Sequence, residues 1–340
     1  MNKKNYIIAI ISSLIIISCG DDKPIKTTAP TNNNSNESNE IVNIPKIERP
    51  NFDKDSAYLY VKQQVDFGPR FPNNEAHDKC ANFLKDKLAD FGLNASIQLG
   101  KATTFNNKNI TIKNIIGEYK PELEKRILLF AHWDSRPFAD QDQKDLTKPI
   151  LGANDGASGV GVLLEVARQI NLTQPEIGVD IIFFDAEDYG APSSGMIQEQ
   201  NSDSWCLGSQ YWAKNMHKPN YKANYGILLD MVGSTNAYFT HESISVKYAP
   251  EILQKVWANA KNLGYGNYFV SKETYFVGVD DHQYVNEIAN IPSIDIIHHD
   301  RTSGNFHPTW HTHNDNMDVI DKTTLGVVGE TLLYTIYNEK

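Results

Sequence analysis

The chain has 340 residues, with 42 Asp+Glu against 32 Lys+Arg for a formal net charge of −10, and is 40% hydrophobic and 22% charged. That balance excludes collagen, coiled coil, wholesale disorder and a polytopic membrane protein, and its acidic excess argues against a nucleic-acid-binding surface. Three cysteines are too few for a dense disulfide framework, and the length suits one large α/β domain or two smaller ones.

In chain order, Lys3 and Lys4 precede an almost wholly apolar run, Ile7 to Ile17, and then Ser18-Cys19-Gly20. The run is too short to span a bilayer, so residues 1–18 read as a signal peptide. Ile16-Ile17-Ser18-Cys19 resembles the lipobox of bacterial lipoproteins. The resemblance implies an exported chain, lipid-anchored at Cys19 to a bacterial membrane on its periplasmic or cell-surface side. Residues 19–50, with TNNNSNESNE at their centre, hold little apolar content and read as a flexible tether. Globular patterning begins near Phe52, and residues 51–340 are expected to form a single catalytic domain.

Ala76, Cys80, Phe83, Leu84, Leu88 and Phe91 recur at three- and four-residue spacing, which predicts a helix over 76–91 that Gly92 ends. Short apolar runs follow at Ile115-Ile116, Ile127 to Ala131, Ile181 to Phe184, Ile227 to Leu229 and Ile294 to Ile297. They are too short for helices and rich in Ile, Leu and Phe, so they predict buried strands. Helical stretches lie among them at Val160 to Ile170, Ser209 to Met216 and Glu251 to Leu263, with another at Thr324 to Tyr337. The alternation predicts an α/β three-layer sandwich: a mostly parallel central β-sheet flanked by helices, with its site at the C-terminal strand ends.

Those ends carry the chemistry. His132-Trp133-Asp134 follows one run, Asp185-Ala186-Glu187-Asp188 the next, and Asp230 a third. Clustered carboxylates repel unless a cation or a shared proton compensates them. Asp155 sits in the small-residue loop GANDGASG, where it either caps the following helix or offers a carboxylate to a metal. Pro308 to Asp315 adds His311 and His313 in a polar loop, and a mixed carboxylate and imidazole set suits zinc.

AHWDS (131–135), GANDGASG (152–159), FFDAED (183–188), LGSQYWA (207–213), LLDMVG (228–233), VDDH (279–282) and TWHT (309–312) resemble, in order, the motifs of the zinc-aminopeptidase superfamily. Within it they look most like the glutaminyl-peptide cyclotransferases, over roughly residues 55–340. The resemblance implies a zinc aminopeptidase-like fold and one zinc ion held by Asp155, Asp188 and His311. It implies Glu187 as general acid/base, tuned by Asp280 and Asp230. It also implies a pocket, walled by Trp310 and Phe306, that takes the N-terminal Gln of peptides or proteins and closes it to pyroglutamate with loss of ammonia.

Two departures leave alternatives open. Animal cyclases carry Glu-Glu where this chain has Glu187-Asp188. Their pocket Trp is also absent, since position 193 is Ser within an insertion spanning 191–195, which leaves Trp133 or Trp205 to supply the wall. His132 and Asp230 keep the residue types that hold a second zinc in aminopeptidases, so a zinc aminopeptidase is the alternative. Cys80 and Cys206 are expected to be buried free thiols.

Overall fold

The computed structural model describes residues 49–192, 202–274 and 278–339, all within one unit, Lys46–Lys340. The signal peptide, Cys19, the tether up to residue 48 and residues 193–195 of the insertion lie outside the described residues. Helix α1 (Lys54–Val65) and α2 (Glu75–Asp90) lead into β1 (Asn94–Thr103), β2 (Asn109–Tyr119), β3 (Arg126–His132), α3 (Ala157–Thr173) and β4 (Gly178–Phe184). Then come α4 (Leu207–Lys214), β5 (Gly226–Asp230), β6 (Phe239–Glu242), α5 (Ser243–Tyr248), α6 (Pro250–Asn262), β7 (Phe269–Thr274), α7 (Asp281–Glu287), β8 (Ser293–Ile297) and α8 (Lys322–Asn338).

The apolar runs lie on β2, β3, β4, β5 and β8 of a six-stranded sheet of order β1-β2-β4-β3-β5-β8. Strands β4, β3, β5 and β8 are parallel neighbours, while β1 and β2 are added antiparallel at one edge. Every residue of β3, β4, β5 and β8 is buried, as a sheet covered on both faces requires. Alternation divides their side chains between two layers. Leu129, Ala131, Ile181, Phe183, Ile227, Leu229, Ile294 and Ile296 pack into a core with α1, α3, α6 and α8. Leu128, Phe130, Ile182, Phe184 and Leu228 pack with Trp212 of α4 and Val285 of α7. Burying each such side chain is worth about 1.5–3 kcal/mol relative to leaving it in water.

Because β3, β4 and β5 run in parallel, His132, the Asp185–Asp188 turn and Asp230 emerge at one edge. The register pairs His132 with Phe184 and Asp230 with Ile297. The predicted helix over 76–91 is α2, with Phe91 as its cap and Gly92 at φ 78°. Cys80 and Cys206 are both buried and unbridged.

Candidate active site

The turn after β4 is built to separate its two acids. Ala186 takes φ 54°, a left-handed conformation that costs a side-chain-bearing residue on the order of 1–2 kcal/mol. Buried Asp134 holds the turn there by accepting the backbone N–H of Glu187 at 3.1 Å and of Asp188 at 3.3 Å. From the other side, the N–H groups of Cys206 and Leu207 donate to the carbonyls of Glu187 (2.9 Å) and Ala186 (3.0 Å). Glu187 and Asp188, which a regular strand would point to opposite faces, thereby both reach the same cleft.

Asp155 reaches it from the loop before α3. The helix is capped by Gly156 without any side-chain hydrogen bond, so the Asp155 carboxylate is not consumed by capping. Gly156 stands at φ 100°, where a Cβ would run into the Asp134 carbonyl and the His132 ring. Asp315, four residues past His311, accepts from Asn154 N (2.7 Å) and Asp155 N (3.0 Å), so the two loops are tied together. His311 itself adopts φ 57°. Its Nε2 lies 3.0 Å from Asp188 Oδ1 and 3.7 Å from Asp155 Oδ2, and its Nδ1 lies 3.2 Å from Asp140 Oδ1.

These three residues fit a metal ion. Asp155 Oδ2 and Asp188 Oδ2 are buried without a hydrogen-bond partner, which is costly unless something else binds them. Two ligand atoms on a tetrahedral zinc, each bonded at about 2.0–2.1 Å, stand roughly 3.3 Å apart, and the His311 distances of 3.0 and 3.7 Å bracket that value. Asp140 would act as the outer carboxylate that fixes the ring of a ligating histidine. A second set overlaps the first: His132 Nε2 lies 3.1 Å from Asp155 Oδ1 and 3.2 Å from Asp230 Oδ1.

Burial, opposed in part by His132 and reinforced by Asp188, Asp280 and Asp281, holds Glu187 well above the ordinary glutamate range. Asp280 is pushed up to about 6, first by burial and then by Asp230. For His132, burial opposes the charge, but the carboxylates of Asp134, Asp155 and Asp230 around its ring win and its pKa rises well above the usual value. Asp188 moves the other way, because His311 and Arg136 more than offset its desolvation.

A cavity of about 190 Å³ opens onto these groups, lined by Asp155, Glu187, Asp188, Asp230, Asp280 and His311 and walled by Trp205, Phe306 and Trp310. Trp310 stacks on His311 at 3.6 Å between centroids, and Phe306 packs on Trp310 at 4.9 Å. Trp205 lies parallel to His311, 6° between planes at 5.9 Å. Trp133 belongs elsewhere, which corrects the expectation that it could wall the pocket. It is fully buried in the main core, stacked on His77 at 4.4 Å, with its indole N–H given to the Lys113 carbonyl at 3.1 Å. Following directly on β3, it turns its ring back between α2 and β2, and Trp205 is left as the remaining wall.

Sequence patterns gave no site role to Arg136, Asp140 or Cys206, whereas Asp134 stands at a strand end within AHWDS. Cys206 Sγ lies 3.2 Å from Glu187 Oε1. The only sequence signal for any of them was proximity to the quoted motifs.

A central, mostly parallel sheet with buried carboxylates and histidines gathered at its C-terminal edge, in groups able to hold a metal ion, is the architecture of a zinc-exopeptidase-like fold. The chain belongs to peptidase family M28, whose model matches residues 114–336. It is similar, at 54% identity and a TM-score of 0.83 over 86% of this chain and 100% of the other, to the glutaminyl cyclase of Bacteroides thetaiotaomicron, solved with N-acetylhistamine bound. A Zn-dependent exopeptidase from Parabacteroides distasonis is 50% identical with a TM-score of 0.83 at the same coverage. The glutaminyl-peptide cyclotransferase of Bothrops jararaca is 25% identical over 250 residues, 65% of this chain and 64% of that protein's length.

Proposed function

We propose that the protein is a glutaminyl-peptide cyclotransferase, converting the N-terminal Gln of peptides and proteins to pyroglutamate with release of ammonia. One observation carries the reading beyond the family. The Asp155, Asp188 and His311 set and the carboxylate of Glu187, which belongs neither to that set nor to the His132, Asp155 and Asp230 set, face one cavity of about 190 Å³ walled by three aromatic rings.

Asp155, Asp188 and His311 would hold one zinc ion, which when bound supplies Lewis acidity toward the γ-carbonyl of the substrate. Trp205, Phe306 and Trp310 hold the glutamine side chain curled so that its α-amine meets its own γ-carbon. Glu187 accepts the proton of the attacking amine and returns it to the departing ammonia, so one C–N bond forms as another breaks. Its raised pKa suits both halves of that transfer. Asp280 lies beside it in the cleft, and its negative charge helps set that proton affinity. Asp230 contributes by bracing His132.

The alternative, a zinc aminopeptidase, is favoured by one observation: His132, Asp155 and Asp230 also gather ligand atoms within 4.8 Å of one another, as a second ion would need. Incubation with a Gln-initiated peptide decides between them. Ammonia release with every peptide bond intact supports the cyclotransferase, and release of the first residue supports the peptidase.

We propose too, from the Lys3 to Cys19 pattern alone, that the chain is exported and lipid-anchored at Cys19. Cys19→Ser should leave the membrane fraction. A variant that stayed there would contradict the anchor.

A further inference from the structure

Arg136 occupies the turn after β3 with its side chain fully buried, a position where a guanidinium is tolerated only if its donors are satisfied. Nε and Nη2 fork onto Asp140 at 2.6 and 2.9 Å, and Nη1 donates to the Asp188 carbonyl at 2.8 Å. Asp140 Oδ1 in turn lies 3.2 Å from His311 Nδ1, an ion-pair contact on the side of the ring opposite Nε2, which faces Asp155 and Asp188. The face of the same guanidinium lies 4.5 Å from the centre of the Trp205 ring. Gly190 completes the seat of the indole, since a Cβ there would overlap it.

One buried cation therefore touches both halves of the site. We infer that Arg136 is a positioning residue, coupling the imidazole of the metal-binding His311, through Asp140, to the indole wall of Trp205. The Trp205 arm rests on the cyclotransferase reading, whereas the His311 arm depends only on the metal set. Loss of the guanidinium leaves the buried Asp140 carboxylate without the charge that forks onto it. It also removes the platform beneath Trp205. Lysine keeps the charge but neither the planar fork nor the flat face.

The test measures zinc affinity by chelator competition, and kcat and KM on a Gln-Ala-initiated peptide at saturating zinc, for four variants of the protein. Arg136→Met should weaken zinc binding by roughly 10- to 100-fold and raise KM, and Arg136→Lys should move both in the same direction by less. Asp140→Asn should weaken zinc binding with KM at saturating zinc unchanged. Trp205→Phe should raise KM with zinc affinity unchanged. Arg136→Met, or Arg136→Lys should the former not fold, that altered only one of the two quantities or neither would overturn the coupling. A wild-type protein that binds zinc but forms no pyroglutamate would overturn the cyclotransferase reading and the Trp205 arm with it. The zinc affinities of the Arg136 and Asp140 variants would still decide the His311 arm.

Discussion

Replacing Glu187 with Gln isolates proton transfer from everything else the residue does. The substitution keeps volume and shape, and an amide oxygen can still accept from Cys206, whose Sγ lies 3.2 Å from Glu187 Oε1. The backbone N–H and C=O of residue 187 are held by Asp134 and Cys206, bonds that the side chain does not touch. Removing a buried carboxylate among Asp188, Asp280 and Asp281 also relieves like-charge repulsion, so stability should hold or rise. What disappears is the only proton acceptor assigned to the attacking amine, a loss of roughly 10²–10⁴ in rate. At 1.36 kcal/mol for each tenfold, that is about 2.7–5.4 kcal/mol of transition-state stabilisation. The assay is kcat/KM on a Gln-initiated peptide beside zinc content and melting temperature of the same preparation. A Glu187→Gln protein that lost its zinc would refute the division of roles between residues 187 and 188, and one that kept full activity would refute Glu187 as the base.

The remaining predictions concern metal and protons. Purified protein should carry about one tightly bound zinc per chain, as a single three-ligand site requires, and Asp188→Ala should lose it; two equivalents, both needed for activity, would favour the peptidase. Metal-free protein should become less stable as pH rises from about 4 to about 7. Asp155 and Asp280 are pushed up to about 6 and Asp315 to about 7, in each case chiefly by burial, so the folded chain holds protons that the unfolded chain has released. The raised His132 acts in the same direction, losing its contribution as pH rises through its folded value. Zinc displaces the protons held by Asp155 and His311, both raised above their usual values, so the gap in melting temperature between zinc-loaded and metal-free protein should widen toward alkaline pH. A gap that narrowed would contradict the placement of the ion among these acids.

The parts of the fold visible in the sequence are those where one physical demand dominates. Strands β3, β4, β5 and β8 must be apolar on both faces, so their runs stand out. The edge strand β1 is not announced by its sequence because half of it faces water and carries Leu99 outward, nor is α1, because its buried face includes Gln64, whose Nε2 donates to the Tyr60 and Ala157 carbonyls. The residues around the cleft divide in the same way. Asp155, Glu187, Asp188 and His311 are chemically conspicuous types in recognisable motifs. Arg136 and Asp140 matter through contacts with residues 52 and 171 positions further on, and no local pattern announces such contacts. The choice between Trp133 and Trp205 is not legible in the sequence, because an indole beside a strand end can turn either way and the packing of His77 and the Lys113 carbonyl decides it for Trp133.

In the proposed reaction the cleft closes a glutamine side chain onto its own amine without cutting a peptide bond. Mass spectrometry of one incubation containing a Gln-Ala-initiated peptide and a Leu-Ala-initiated peptide tests it most directly. The first should lose the mass of one ammonia and keep its full length while the second stays unchanged, since only the first offers a γ-amide between Trp205, Phe306 and Trp310. Shortening of either peptide by its first residue, with no ammonia released, would contradict it.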